Sequence, residues 1–130
     1  MFTFANNISL ISASVTPGQS GAAGLAGPPI VNGTRVTLNL TAVTNQQVLT
    51  VNLTGVSDGL VSSDLAIPIG ILAGDTNVDH LVNAKDVNRT KTASGRVVSR
   101  TNFTIDVNLD GQINVDDTNF VKSFLGTSLP

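Results

Sequence analysis

Residues 75–95 read DTNVDHLVNAKDVNRTKTASG, and residues 106–126 read DVNLDGQINVDDTNFVKSFLG. Laid over one another at an offset of 31 residues, they match at Asp75/Asp106, Asn77/Asn108, Asp79/Asp110, Asn83/Asn114, Asp86/Asp117, Asn88/Asn119, Lys91/Lys122 and Gly95/Gly126. Counted from Asp75 and Asp106, oxygen-bearing side chains recur at loop positions 1, 3, 5, 9 and 12. A hard cation such as Ca²⁺ takes about six to eight oxygens at roughly 2.3–2.6 Å, and a tight loop with this spacing supplies them. Side chains at positions 1, 3 and 5 point inward. Position 7, Leu81 or Gln112, offers its backbone carbonyl. Position 9 reaches the ion directly or through water, and position 12 closes the shell from the first turn of a following helix. Position 8 is apolar in both copies, Val82 and Ile113, as a loop anchored in a small core requires.

Three carboxylates per loop more than balance one Ca²⁺. Magnesium prefers a smaller, stricter octahedron that keeps more of its water, and zinc prefers nitrogen or sulfur. A plainer explanation covers part of the pattern. An Asn cap with an acid three residues later is a helix N-terminal box, which accounts for positions 9 and 12. It leaves positions 1, 3 and 5, in register twice, without a reason. Position 6 needs a sharp turn, normally Gly at positive φ. Gly111 meets that need, whereas His80 does so only under strain. The second loop is therefore expected to be the better formed. Helices are expected after both loops, one around Ala84–Ala93 and one carrying Phe120, Val121, Phe124 and Leu125 before a stop at Gly126.

The upstream half is patterned differently. Val36, Leu38 and Leu40 alternate with polar residues, as do Leu49, Val51 and Leu53, and then Leu65, Ile67, Ile69 and Ile71. Asn32-Gly33 marks a hairpin. Leu10–Val15 reads as a strand, and the small residues from Gly18 to Pro29 read as a flexible loop. Four or five such strands need a second layer, so the expected fold is mainly β with a small α part. Residues 1–73 are expected to form an immunoglobulin-like β-sandwich, and residues 74–130 the paired loop–helix motifs. About seven strands complete such a sandwich. The opening Met1-Phe-Thr-Phe reads as a strand entered midway, so the sandwich is expected to be incomplete and to leave a sheet edge open to another chain.

Composition excludes several functions. The chain of 130 residues has no Cys, Trp, Tyr or Glu and a single His. Disulfides, thiolate metal sites, cysteine nucleophiles and multi-histidine zinc sites are thereby excluded. Seven scattered basic residues at a net charge of -2 do not read as a nucleic-acid surface. There is no apolar run long enough for a membrane span, and the opening residues do not read as a signal peptide. Seven of the nine Asp residues fall within 43 positions, and the other two, Asp58 and Asp64, flank a turn. Catalysis by a carboxylate pair is therefore not expected, and the chain reads as non-catalytic.

The paired loops resemble those of dockerins, whose pattern is D-x-N-x-D-G-x-[VI]-N-x-x-D, doubled about 30 residues apart with a helix after each. The second loop, Asp106 to Asp117, matches throughout, and the first departs only at His80. Closure by Asp rather than Glu is typical of that family. The resemblance covers about residues 74–130. It implies calcium at Asp75, Asn77, Asp79, Asn83 and Asp86 and at Asp106, Asn108, Asp110, Asn114 and Asp117. It also implies an extracellular or cell-surface bacterial protein and, less directly, a protein partner. A cohesin is read largely through Ser-Thr-like pairs at positions 10 and 11. Here those are Ala84-Lys85 and Val115-Asp116, so the residues that recognise a cohesin are not matched. Three roles follow as expectations: a calcium-stabilised structural or docking module, a self-assembling surface or fibre subunit, and a carbohydrate-associated module. The last lacks the Trp or Tyr that sugar stacking uses.

Overall fold

The computed structural model describes residues 1–130, which fall into two compact units, Met1–Gly70 and Ile71–Pro130. The sequence-based boundary lay after residue 73. The chain is mainly β, with two short helices, both in the second unit.

Eight strands form, more than the four or five expected. They are β1 (Phe2–Thr3), β2 (Ser12–Thr16), β3 (Gly24–Leu25), β4 (Ile30–Asn32), β5 (Arg35–Thr37), β6 (Leu40–Thr41), β7 (Gln47–Ser57) and β8 (Ser62–Ile71). They make three small sheets, ordered β1-β5-β4, β2-β7-β8 and β3-β6. The alternation in β7 translates directly into burial: Leu49, Val51 and Leu53 are at most 1% exposed. The β4–β5 hairpin turns where Asn32-Gly33 predicts it, with Asn32 opposite Arg35 and Gly33 at φ +58°. In β8, Leu65, Ile67, Ile69 and Ile71 share a half-buried face, and Pro68 lies on a strand at the sheet margin, where its missing N–H is harmless.

Two expectations need correcting. Arg35–Leu40 is not one strand. The chain breaks at Leu38-Asn39 and passes from the β1-β5-β4 sheet to a pairing with β3. Alternation survives the break, because Val36 is buried and Leu38 and Leu40 are half-buried, so periodicity alone could not reveal it. The segment Gly18–Pro29 is not a free loop either. It contains β3 and is tied down by the buried Gln47. The Gln47 amide donates to the Ala22 and Thr44 carbonyls at 2.8 and 2.7 Å and accepts from the Gly18 N–H at 3.0 Å. A Cβ on Gly21 would collide with that amide, which is why the segment must be small here.

In the second unit, α1 covers Ala84–Ala93 and α2 covers Val115–Ser123, with a 3₁₀ turn at Phe103–Ile105 between them. Both helices start with an Asn cap and a reciprocal Asp at the third helical position, Asn83/Asp86 and Asn114/Asp117. The core is split in two. Val82, Val87 and Val121 pack with Leu72, Val107 and Phe124, while Ala93, Ile105 and Ile113 pack with Val98. The apolar residue at position 8 of each loop thus packs against the helix that follows the other loop. Thr90, the α1 counterpart of Val121, is fully buried, and its hydroxyl is returned to the helix by donating to the Val87 carbonyl at 2.9 Å.

Candidate metal centre

Each loop curls around its first carboxylate. Asp75 accepts from the N–H groups of Asp79 at 3.2 Å and His80 at 2.9 Å. Asp106 accepts from Asp110 at 3.2 Å and Gly111 at 3.0 Å. At position 3, the Asn77 side-chain oxygen accepts from the Asp79 N–H at 2.9 Å while its amide donates to the Asp79 carboxylate at 3.0 Å. Asn108 and Asp110 repeat both bonds at 3.0 Å.

Position 12 is the buried hub. Asp86 is fully buried and accepts from the N–H groups of Thr76, Asn77 and Asn83 at 2.9, 3.2 and 2.9 Å and from the Thr76 hydroxyl at 3.2 Å. Asp117, equally buried, accepts from Val107, Asn108 and Asn114 at 2.9, 3.4 and 2.8 Å. A carboxylate with several N–H donors fixes the loop entrance to the helix start. Position 9 is turned the other way: Asn83 and Asn114 cap their helices by accepting from the Lys85 and Asp116 N–H groups at 2.8 and 2.6 Å. Helix capping therefore accounts for positions 9 and 12, and positions 1, 3 and 5 stand apart from it.

Carboxylate oxygens of Asp75, Asp79 and Asp86 lie within 4.8 Å of one another. That distance brings three acids together in the first loop only, so the expected ranking of the second loop above the first has no counterpart in this convergence. At the rim of the first loop, Lys85 sits 3.5 Å from Asp79, an exposed pair. Desolvation raises the Asp79 pKa, but bonds from the Asn77 amide, the Leu81 N–H and Lys85 outweigh it, and the carboxyl stays below its ordinary value. The donor set is oxygen apart from His80, whose backbone rather than ring faces Asp75, and it suits a hard cation.

Both residues at position 6 have positive φ, His80 at +69° and Gly111 at +83°, as the loop form demands. Position 4 is a feature the sequence did not announce: Val78 and Leu109 both stand at φ +61°. Leu81 and Gln112, the expected carbonyl donors, each form a single antiparallel bridge, with Ser128 and Val97 respectively. Asp58 and Asp64 are held by local backbone instead. Asp58 accepts from Leu60 and Val61, both at 3.0 Å, and Asp64 accepts from Gly55 at 2.7 Å.

No family model, no curated protein and no solved structure matches this chain.

Proposed function

We propose that residues 71–130 are a dockerin-type calcium unit, and that the protein is a non-catalytic structural or docking module of an extracellular bacterial protein. The observation that carries this reading is the approach of three carboxylates in the first loop, within 4.8 Å, in a hydrogen-bond pattern that the second loop repeats. Like charges this close repel, and a bound Ca²⁺ would supply the compensating charge. The core of this unit is two small clusters, so ligation energy released on folding would be a large share of its stability.

Asp75, Asn77, Asp79 and Asp86 would hold one ion and Asp106, Asn108, Asp110 and Asp117 the other, with carbonyls of Leu81 and Gln112. Electrostatics supports tighter binding in the second loop. Position 11 there is Asp116, whereas in the first it is Lys85, already paired with Asp79. Calorimetric titration with Ca²⁺, together with melting in chelator, tests the reading. Two bound ions are expected, and at calcium a hundredfold above Kd each adds about 2.7 kcal/mol to stability. Fewer than one ion, or an unchanged melting temperature, overturns it.

Self-association is the second reading. In the β1-β5-β4 sheet, β4 lies at an edge and exposes Ile30 and Val31 at 56% and 37%. An apolar strand edge is a template for a strand from another copy. Light scattering across a concentration series decides: growth in mass that Val31→Lys abolishes supports it, and a constant monomer mass rejects it.

A further inference from the structure

Five of the seven basic residues lie between positions 85 and 100, and three of them, Lys85, Arg89 and Arg96, line one groove of about 620 Å³ beside α1. Lys85 and Arg89 stand four apart on α1 and so share a face, and the chain beyond the helix brings Arg96 to the same groove. No carboxylate lines the groove. The Arg89 and Arg96 guanidiniums form no ion pair or hydrogen bond within the chain, and Lys85 has only its 3.5 Å pairing with Asp79. The remaining polar lining consists of amides and hydroxyls, among them Asn88, Thr92 and Thr101, and the apolar lining is Ala93 and Ile105.

The fold does not need these charges. At the 31-residue offset, the counterparts of Lys85, Arg89 and Arg96 are Asp116, Phe120 and Thr127. The α2 half keeps the same loop–helix frame, and the groove bordered by Phe120 there carries no cation: its lining is mostly apolar, with the carboxylates Asp75 and Asp106. The repeats agree at the loop positions and, on the helices, at Asn88/Asn119 and Lys91/Lys122, but they differ at the three groove cations. The cations are thus free to serve a ligand.

We propose that the groove beside α1 binds a short acidic oligosaccharide, with Lys85, Arg89 and Arg96 holding its uronate carboxylates. The volume falls in the range of small-ligand sites, about 300–1,000 Å³, and is too small for a nucleic-acid duplex. No aromatic ring lines it, so neither stacked bases nor a neutral sugar held by stacking fits. Guanidinium groups match carboxylates in two-pronged fashion. The amides and hydroxyls both donate and accept, which suits the hydroxyl groups of a sugar ring. Asn77, proposed above as a ligand of the first loop, also lines the groove, but the charges that hold the uronates are those of Lys85, Arg89 and Arg96.

The test is calorimetric titration of the full chain, dialysed free of unbound calcium, with a galacturonic acid trimer. A neutral glucose trimer, an oligoglutamate peptide, a short single-stranded DNA and inorganic phosphate serve as comparators. Saturable binding that weakens with salt is expected for the uronate trimer alone. The Arg89→Gln/Arg96→Gln variant should lose at least roughly tenfold in affinity, as expected for removing charge-assisted hydrogen bonds. Both residues are exposed, and an unchanged melting temperature verifies that the variant folds. Lys122→Gln, a cation outside the groove, should bind as the parent does. Absent binding overturns the proposal. So does a comparator that binds equally well, or a Lys122→Gln variant that loses as much as the arginine variant.

Discussion

The Gly95 N–H donates to the Ile113 carbonyl at 2.8 Å, and 31 residues on the Gly126 N–H donates to the Val82 carbonyl at 2.9 Å. Each bond runs from the glycine behind one helix to position 8 of the other loop. The bridges Val97–Gln112 and Leu81–Ser128 continue the same exchange. Each loop is therefore closed by the tail of the other. Both glycines sit at φ +85°, which lets the chain reverse after the helix and present its N–H across the unit.

Replacing Gly95 with alanine tests that backbone requirement. A Cβ there meets nothing within 4 Å, so the penalty is conformational rather than steric. Gly95→Ala and Gly126→Ala should each destabilise the second unit by about 1 kcal/mol, the left-handed cost less the gain from a stiffer unfolded chain. Gly27→Ala, in equally open space without a positive φ, should be neutral or slightly stabilising. Urea unfolding of the three variants gives the comparison, and equal midpoints would contradict it.

Asp86 and Asp75 should respond differently to truncation, although both are candidate ligands. Asp86→Ala strands the buried N–H of Thr76 and those of Asn77 and Asn83, so a loss of about 3–5 kcal/mol is expected. Asp75→Ala frees the N–H groups of Asp79 and His80, which are exposed and can turn to water, so about 1 kcal/mol is expected. Circular dichroism in chelator separates the two: the Asp86 variant should lose helix, and the Asp75 variant should keep it. Calcium titration should show weakened binding to the first loop in Asp75→Ala.

How much of this was legible beforehand depends on the range of the interactions. The doubled Asp/Asn spacing, both capping boxes and the left-handed turn at position 6 are local, and residues within one loop specify them. Alternation likewise placed Leu49, Val51 and Leu53 inside. The tail-to-loop exchange was half visible, since Gly95 and Gly126 align at the 31-residue offset, but their partners lie in the other repeat. Gln47 stands in phase with Leu49, Val51 and Leu53, so alternation places it on the inward face, but its anchoring role comes from the Ala22 carbonyl and the Gly18 N–H, 25 and 29 residues away, which no local pattern reveals. The break at Leu38-Asn39 left no trace in periodicity because both flanking pieces keep their faces. The groove cations were half legible, since Lys85 and Arg89 are four apart on one helix, while Arg96 joins them only through the turn that follows α1.

His80 carries strain that glycine would relieve. Its φ of +69° puts a branched ring-bearing side chain in the left-handed region, which costs about 1–2 kcal/mol relative to an ordinary conformation. His80→Gly should stabilise the unit by up to about 1 kcal/mol, after allowing for the greater freedom of glycine when unfolded. The backbone bond from the Leu129 N–H to the residue-80 carbonyl, at 3.1 Å, needs no side chain and should persist. A lower denaturation midpoint in His80→Gly would show that the imidazole contributes more than its backbone costs.

In the first unit, acid should act through Asp58. The N–H groups of Val61 and Leu60 and the Asn6 amide all donate to its carboxylate, and together they outweigh a small opposing desolvation and hold its pKa below the ordinary 3.8. A depressed folded pKa means that on acidification the unfolded chain takes up the proton first. The contribution of Asp58 is therefore complete above the unfolded pKa of about 3.9 and is lost as pH falls through the lower folded value. Urea titrations between pH 6 and pH 2, followed through the NMR signals of Val56 and Val61, should show a falling midpoint over that window, and Asp58→Ala should flatten it. Asn45→Ala, which removes no carboxylate, should keep the slope. A parent and an Asp58→Ala variant with the same acid slope would assign the acid sensitivity of this unit to another group.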